Sequence, residues 1–132
     1  MADPTVIDMD IIKTIESNNN PNAVSPAGAI GLYQIMPITL EDYNQMNKKK
    51  YTAEQLFNPQ VNKNIAEWYI TKRIPQMLKH YKLPVNTNSI LHAYNAGIGN
   101  VVKGVLPKET KNYLTKYNQL MATRATGVPS IR

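Results

Sequence analysis

The chain has 132 residues, with 15 Lys and Arg, nine Asp and Glu, two His and no Cys. That length supports one hydrophobic core and excludes two ordinary domains. The missing cysteines exclude a disulfide scaffold, a thiolate nucleophile and a thiolate metal site. A hydrophobic share of 42% with 18% charged residues excludes a disordered composition. The net charge of +6 points to an anionic partner: nucleic acid, an acidic membrane surface or an anionic polymer.

The opening Met1-Ala2-Asp3-Pro4 has no basic region, and the apolar residues of 6–15 are interrupted by Asp8, Asp10 and Lys13. Neither a signal peptide nor a transmembrane span is expected there, and no other apolar run approaches the ~20 residues a crossing requires. Asp3 and Pro4 read as N-cap and first residue of a helix, with Ile7, Ile11, Ile12 and Ile15 as its apolar stripe. The Asn-rich stretch 17–22 with Pro21 ends it. Ser25-Pro26-Ala27-Gly28 is read as a cap followed by a short helix through Met36, and Pro37 as the start of another.

Lys48-Lys49-Lys50 reads as a solvated loop. The remaining basic residues are read as spread along the chain without interleaved aromatics, so no specific nucleic-acid binding is expected. Thr52-Ala53-Glu54-Gln55 has capping-box form. Asn58-Pro59 opens a helix carrying Val61, Ile65, Trp68 and Tyr69 on one face, which Pro75 kinks or divides. A further helix is expected from about Asn88 to a C-terminal glycine at Gly97, and a last one over 108–122. Residues 126–132 read as a frayed tail. With no alternating strand pattern and no repeat, the prediction is all-α: one helical domain over 1–125 and a tail over 126–132.

Among the few acids, Asp3, Asp8 and Asp10 suit the start of the first helix. Glu41, Asp42, Glu54 and Glu67 sit in polar surroundings and read as solvated. Glu16 stands apart: it is placed at a helix C-terminus, beside an apolar stripe and a turn of small polar residues. Both features disfavour the ionised carboxylate, which suits a general acid; a plain surface glutamate is the competing reading. His80 and His92 have no metal-site or triad pattern around them and read as packed or surface residues. Tyr94 and Asn95 precede two glycines, so they either line a groove that a polymer approaches closely or form an ordinary helix end. Gly28, Gly31, Tyr33 and Gln34 allow the same two readings.

Taken together, these segments resemble the soluble lytic transglycosylase family, the goose-type-lysozyme-like enzymes that cleave peptidoglycan. Glu16-Ser17 with Asn20-Pro21-Asn22-Ala23-Val24-Ser25-Pro26-Ala27-Gly28-Ala29 is similar to the family's catalytic Glu-Ser signature and its following loop. Gly31-Leu32-Tyr33-Gln34-Ile35-Met36-Pro37 resembles the second motif, Leu56-Phe57-Asn58-Pro59 the opening of the next long helix, Ala93-Tyr94-Asn95-Ala96-Gly97 the third motif, and Glu109-Thr110 through Tyr113 the fourth. Two positions depart from the pattern. Asn19 replaces the usual apolar residue, and Tyr33 replaces a groove-lining Met.

The resemblance implies a lysozyme-like helical fold with a substrate groove, Glu16 as the catalytic acid and then base, and no cofactor or metal. It places Ser17, Gln34, Tyr33, Tyr94, Asn95 and Tyr113 on the substrate, with Glu109 structural. It implies peptidoglycan glycan strands as partner, a monomer, and action at the cell wall or in the periplasm. Delivery would then use a phage particle or lysis, a secretion system, or a removed leader. Three rivals compete: a lysozyme-type hydrolase of the same bond, with Glu41 or Asp42 as second acid; a non-catalytic wall-binding module; and a helical nucleic-acid binder.

Overall fold

The computed structural model describes residues 6–126, and side chains through residue 124. Asp3 and Pro4, and the proposed tail from residue 127 onward, lie outside the described residues. The first described helix, α1 (Met9–Ser17), starts later than Asp3-Pro4 implies. Its cap is Asp8, whose Oδ1 accepts the backbone N–H groups of Asp10 at 3.0 Å and Ile11 at 3.3 Å. Ile7 therefore precedes the helix, while Ile11 and Ile12 are buried as the stripe predicts.

The remaining helices are α2 (Pro37–Asn47), α3 (Pro59–Trp68), α4 (Ile74–His80), α5 (Thr87–Ala96), α6 (Ile98–Lys103) and α7 (Lys108–Thr126). A 3-10 turn covers Ala53–Phe57 and a π-helical turn Tyr69–Arg73. No strand occurs among the described residues, and the fold is all-α. No described helix is long and apolar enough to cross a membrane.

Most helix starts follow local chemistry. Proline occupies the first turn of α2 and α3. Asn58 Oδ1 accepts from Gln60 and Val61, and Asn86 Oδ1 accepts from Ser89 to start α5. Gln55 Oε1 accepts from the Thr52 N–H at 2.8 Å, the reach-back arm of the capping box. Lys48 takes φ 56° as the left-handed C-cap of α2, and Lys48, Lys49 and Lys50 are all exposed. Pro75 does divide its helix. Its ring cannot fit the regular ladder, and the π turn absorbs the mismatch directly before α4.

The helix expected over 25–36 is not formed. Residues 24–35 are a loop closed by isolated antiparallel bridges, Val24 with Ile30 and Ile30 with Ile35. Gly28, Gly31 and Gln34 have φ of 92°, 82° and 53°, incompatible with a right-handed helix. The short α6 went unpredicted because its six residues show too little periodicity.

The chain divides into two compact units, with the boundary inside α1. The unit of Ile12–Thr71 has Ile12, Ile35, Leu56, Ile65 and Ile70 fully buried. At its margin Tyr43 stands edge-on to Trp68, with ring centroids 5.1 Å apart. In the other unit, whose described residues are 6–11 and 72–126, α5 packs on α4, α6 and α7. Ile74, Leu78, Ile90, Leu91 and Tyr117 are among its buried side chains.

Candidate active site

In the unit of Ile12–Thr71, Glu16 is half-buried at the C-terminal end of α1, whose last turn holds no basic residue. Ser17 follows it. Its Oγ donates to the Lys13 carbonyl at 3.2 Å and accepts from the Asn20 N–H at 3.2 Å. Asn18 and Asn19 take φ of 55° and 65°. Asparagine tolerates the left-handed region better than any apolar residue, which gives the Asn19 departure a backbone reason. The chain thus stops its helix and turns sharply, immediately after the carboxylate.

The loop after this turn is pinned from below. Asn62 on α3 is fully buried, and its Oδ1 accepts the Tyr33 N–H at 2.8 Å. Its Nδ2 donates to the carbonyls of Ile30 at 2.8 Å and Leu56 at 2.9 Å. One amide therefore satisfies three backbone groups, and sequence reasoning missed it because an Asn inside a helix carries no local signal. Gly31 is forced by the same packing: a Cβ there would collide with Asn62 Nδ2 and lie 2.6 Å from the Leu56 carbonyl.

Gln34 donates through Nε2 to the carbonyls of Gly31 at 2.9 Å and Ala23 at 3.2 Å. With both amide hydrogens committed to the loop, its Oε1 is the acceptor it can offer a ligand. Tyr33 corrects the expectation. It is 1% exposed, so its ring is core and has almost no surface for a sugar. In the family pattern that place belongs to a Met; here the larger ring fills the space beneath the loop.

The other unit holds Tyr94 and Asn95 at the end of α5, both half-buried, ahead of Gly97 with φ 90°. Thr110 on α7, 1% exposed, donates through Oγ1 to Asn95 Oδ1 at 2.7 Å. That bond orients the Asn95 amide so that its NH₂ group is the part left to meet a ligand. Thr110 lies in the fourth motif, and its partner becomes visible only in the fold. Tyr113, one turn further along α7, is 6% exposed, while Glu109 is exposed in the first turn. The seven predicted site residues therefore fall into two groups, Glu16, Ser17, Tyr33 and Gln34 in one unit and Tyr94, Asn95 and Tyr113 in the other.

His92 Nε2 lies 2.6 Å from the Val105 carbonyl and ties α5 to the loop after α6, while His80 is exposed. No cluster of three metal-binding side chains occurs among the described residues. Glu41 lines a cavity of about 280 Å³ with Ile30, Pro37, Leu40, Asn44, Ala53 and Leu56.

Residues 6–117 match the family described as the transglycosylase SLT domain. The chain is similar to membrane-bound lytic murein transglycosylase C of Histophilus somni, 33% identical over 117 residues, covering 83% of this chain and 31% of that protein. It is 27% identical over 126 residues to membrane-bound lytic murein transglycosylase D of Escherichia coli K12, covering 83% of this chain and 26% of that protein. The crystal structure of the 70 kDa soluble lytic transglycosylase of Escherichia coli aligns with a TM-score of 0.57 and 29% identity, over 83% of this chain and 16% of that one. The chain thus spans about a third or less of the relatives it matches.

Proposed function

Because the chain belongs to the transglycosylase SLT domain family, we propose that it is a peptidoglycan lytic transglycosylase of lysozyme-like fold, with one domain over residues 1–125. It cuts the β-1,4 bond between N-acetylmuramic acid and N-acetylglucosamine and leaves 1,6-anhydro ends. The observation that carries this reading is Glu16: a half-buried carboxyl at a helix end, followed at once by a left-handed turn and the pinned loop.

Glu16 begins protonated and donates to the glycosidic oxygen as the bond to C1 breaks. The muramic acetamido oxygen bonds to C1 and takes up the developing positive charge, so no second carboxylate is required. The C6 hydroxyl then attacks C1, displaces the acetamido oxygen and returns its proton to Glu16. The atoms balance without water or a metal.

Gln34 Oε1 suits an acetamido N–H, and the Asn95 NH₂ group suits an acetamido or hydroxyl oxygen. Ser17, Tyr94 and Tyr113 are assigned to the same binding set. The enzyme works as a monomer on glycan strands, at the wall or in the periplasm. Its delivery follows one of the routes named above.

Mass spectrometry of digested peptidoglycan tests the reaction. Anhydro ends, lighter by one water than reducing ends, are expected. Reducing ends alone would establish a hydrolase. Glu16→Gln should lower the cleavage rate by about 10²-fold or more while wall binding and melting temperature persist; wild-type binding without any cleavage would leave only the wall-binding module.

A further inference from the structure

The positive charge of this protein is not spread evenly along the chain, contrary to the expectation from sequence. Between Glu67 and Glu109 there is no carboxylate at all, yet that stretch holds Lys72, Arg73, Lys79, Lys82, Lys103 and Lys108. The six account for the whole +6, because the rest of the chain carries nine Lys and Arg against nine Asp and Glu.

A cavity of about 360 Å³ lies within this stretch, lined by Arg73, Gln76, Met77, His80, Tyr81 and Ile98. Its size falls within the range of small-ligand sites. Positions 73, 76, 77 and 80 recur at the spacing of one helix face, and Ile98 at the start of α6 also lines the cavity. None of these residues belongs to the set assigned to glycan cleavage.

The charge of the lining is one-sided, while Gln76, His80 and Tyr81 can each donate or accept. Arg73 carries only donors, and its Nη1 donates to Gln76 Oε1 at 2.8 Å. With that oxygen turned to Arg73, the Gln76 NH₂ group is directed away from the guanidinium. His80 stands edge-on to Tyr81, with centroids 4.9 Å apart, and both add polar ring edges. Met77 and Ile98 supply an apolar wall. Arg73 is a fixed cation and no carboxylate lines the cavity, so the charge favours an anion over a neutral sugar. The complementary ligand is a carboxylate with a small apolar group beside it.

We propose that this cavity binds the terminal carboxylate of a peptide ending in alanine. On the transglycosylase reading, on which the identity of the partner rests, that peptide is the stem attached to muramic acid. Guanidinium and amide donors hold the carboxylate, and the alanine methyl meets Met77 and Ile98. The site would bring the peptide-bearing polymer to the enzyme through a contact separate from cleavage.

The probe is the pentapeptide L-Ala-γ-D-Glu-L-Lys-D-Ala-D-Ala, free of sugar, titrated into the whole chain and followed by amide NMR shifts and calorimetry. Shifts are expected at Gln76, His80 and Ile98. Its C-terminal amide should bind roughly tenfold more weakly or worse, the scale of one charge-assisted hydrogen bond. Gln76→Glu keeps an acceptor for Arg73 but places a carboxylate in the cavity, and should weaken binding by a similar factor. Gln45→Glu on α2, an exposed site, makes the same change in net charge and should leave binding intact. Equal affinity for acid and amide, no response to Gln76→Glu, or full displacement by equimolar inorganic phosphate would each overturn the proposal. Because the probe contains no glycan, this result is independent of whether anhydro ends form in the digest.

Discussion

Thr110 donates its hydroxyl to Asn95 Oδ1 at 2.7 Å, joining the third motif on α5 to the fourth on α7. The bond fixes the orientation of the amide: with its oxygen turned to Thr110, the NH₂ group faces away from that hydroxyl. Thr110→Val removes the hydroxyl at constant shape. It should raise KM for glycan while kcat changes less, with a stability loss of about 1–3 kcal/mol from the orphaned acceptor. Thr110→Ser should restore KM. Steady-state kinetics on soluble glycan strands with melting curves in parallel provide the check; an unchanged KM would refute the positioning role.

Asn62 and Gly31 predict stability rather than chemistry. Asn62→Ala leaves the Tyr33 N–H and the carbonyls of Ile30 and Leu56 without this partner, so a loss of about 3 kcal/mol or more is expected. Gly31→Ala adds a collision to a positive φ, with strain on the order of 1–3 kcal/mol. Urea denaturation measures both. The two effects should not add, since each variant loosens the same contact.

Asp8 combines a helix cap with an ion pair, and the two roles separate cleanly. Its Oδ1 caps α1, while Oδ2 meets Arg124 Nε at 3.2 Å. Arg124 is 55% exposed and also lies 3.9 Å from Asp10. Arg124→Ala should therefore cost only ~0–1 kcal/mol. Asp8→Ala should cost about 1 kcal/mol or more, and Asp8→Asn, which keeps the cap, should recover most of it. Thermal melts at low and high salt distinguish these outcomes.

Tyr117 gives a pH dependence. Burial pushes its phenol above the ordinary value of 10.0, and the Asp8 N–H donated to its oxygen opposes that only in part. A raised pKa means the folded state holds the proton more tightly than the unfolded chain. The stabilisation is complete below the unfolded value near 10 and is lost as pH climbs through the folded one. Tyr117→Phe should show a shallower fall in stability across that alkaline window than the parent, at the cost of one hydrogen bond. Parallel slopes in denaturation between pH 9 and 11 would contradict the assignment.

The amino-acid sequence by itself determined where most helices begin and where the catalytic candidate sits. Caps and prolines act within one turn, so Asn58-Pro59, Pro37 and Gly97 are legible without a fold. The place of Glu16 at the end of a helix was legible too, because an apolar stripe followed by an Asn-rich turn is itself a local pattern. Other decisions belonged to the tertiary structure. The loop of residues 24–35 has a helix-like sequence but takes its form from a distant partner, since Asn62 reaches Tyr33 from 29 positions away. The burial of Tyr33, the aim of Asn95 and the lining around Arg73 depend likewise on neighbours that no periodicity predicts. Short-range hydrogen bonds write helix ends into the sequence; side chains that meet across the fold decide which polar atoms remain for a ligand.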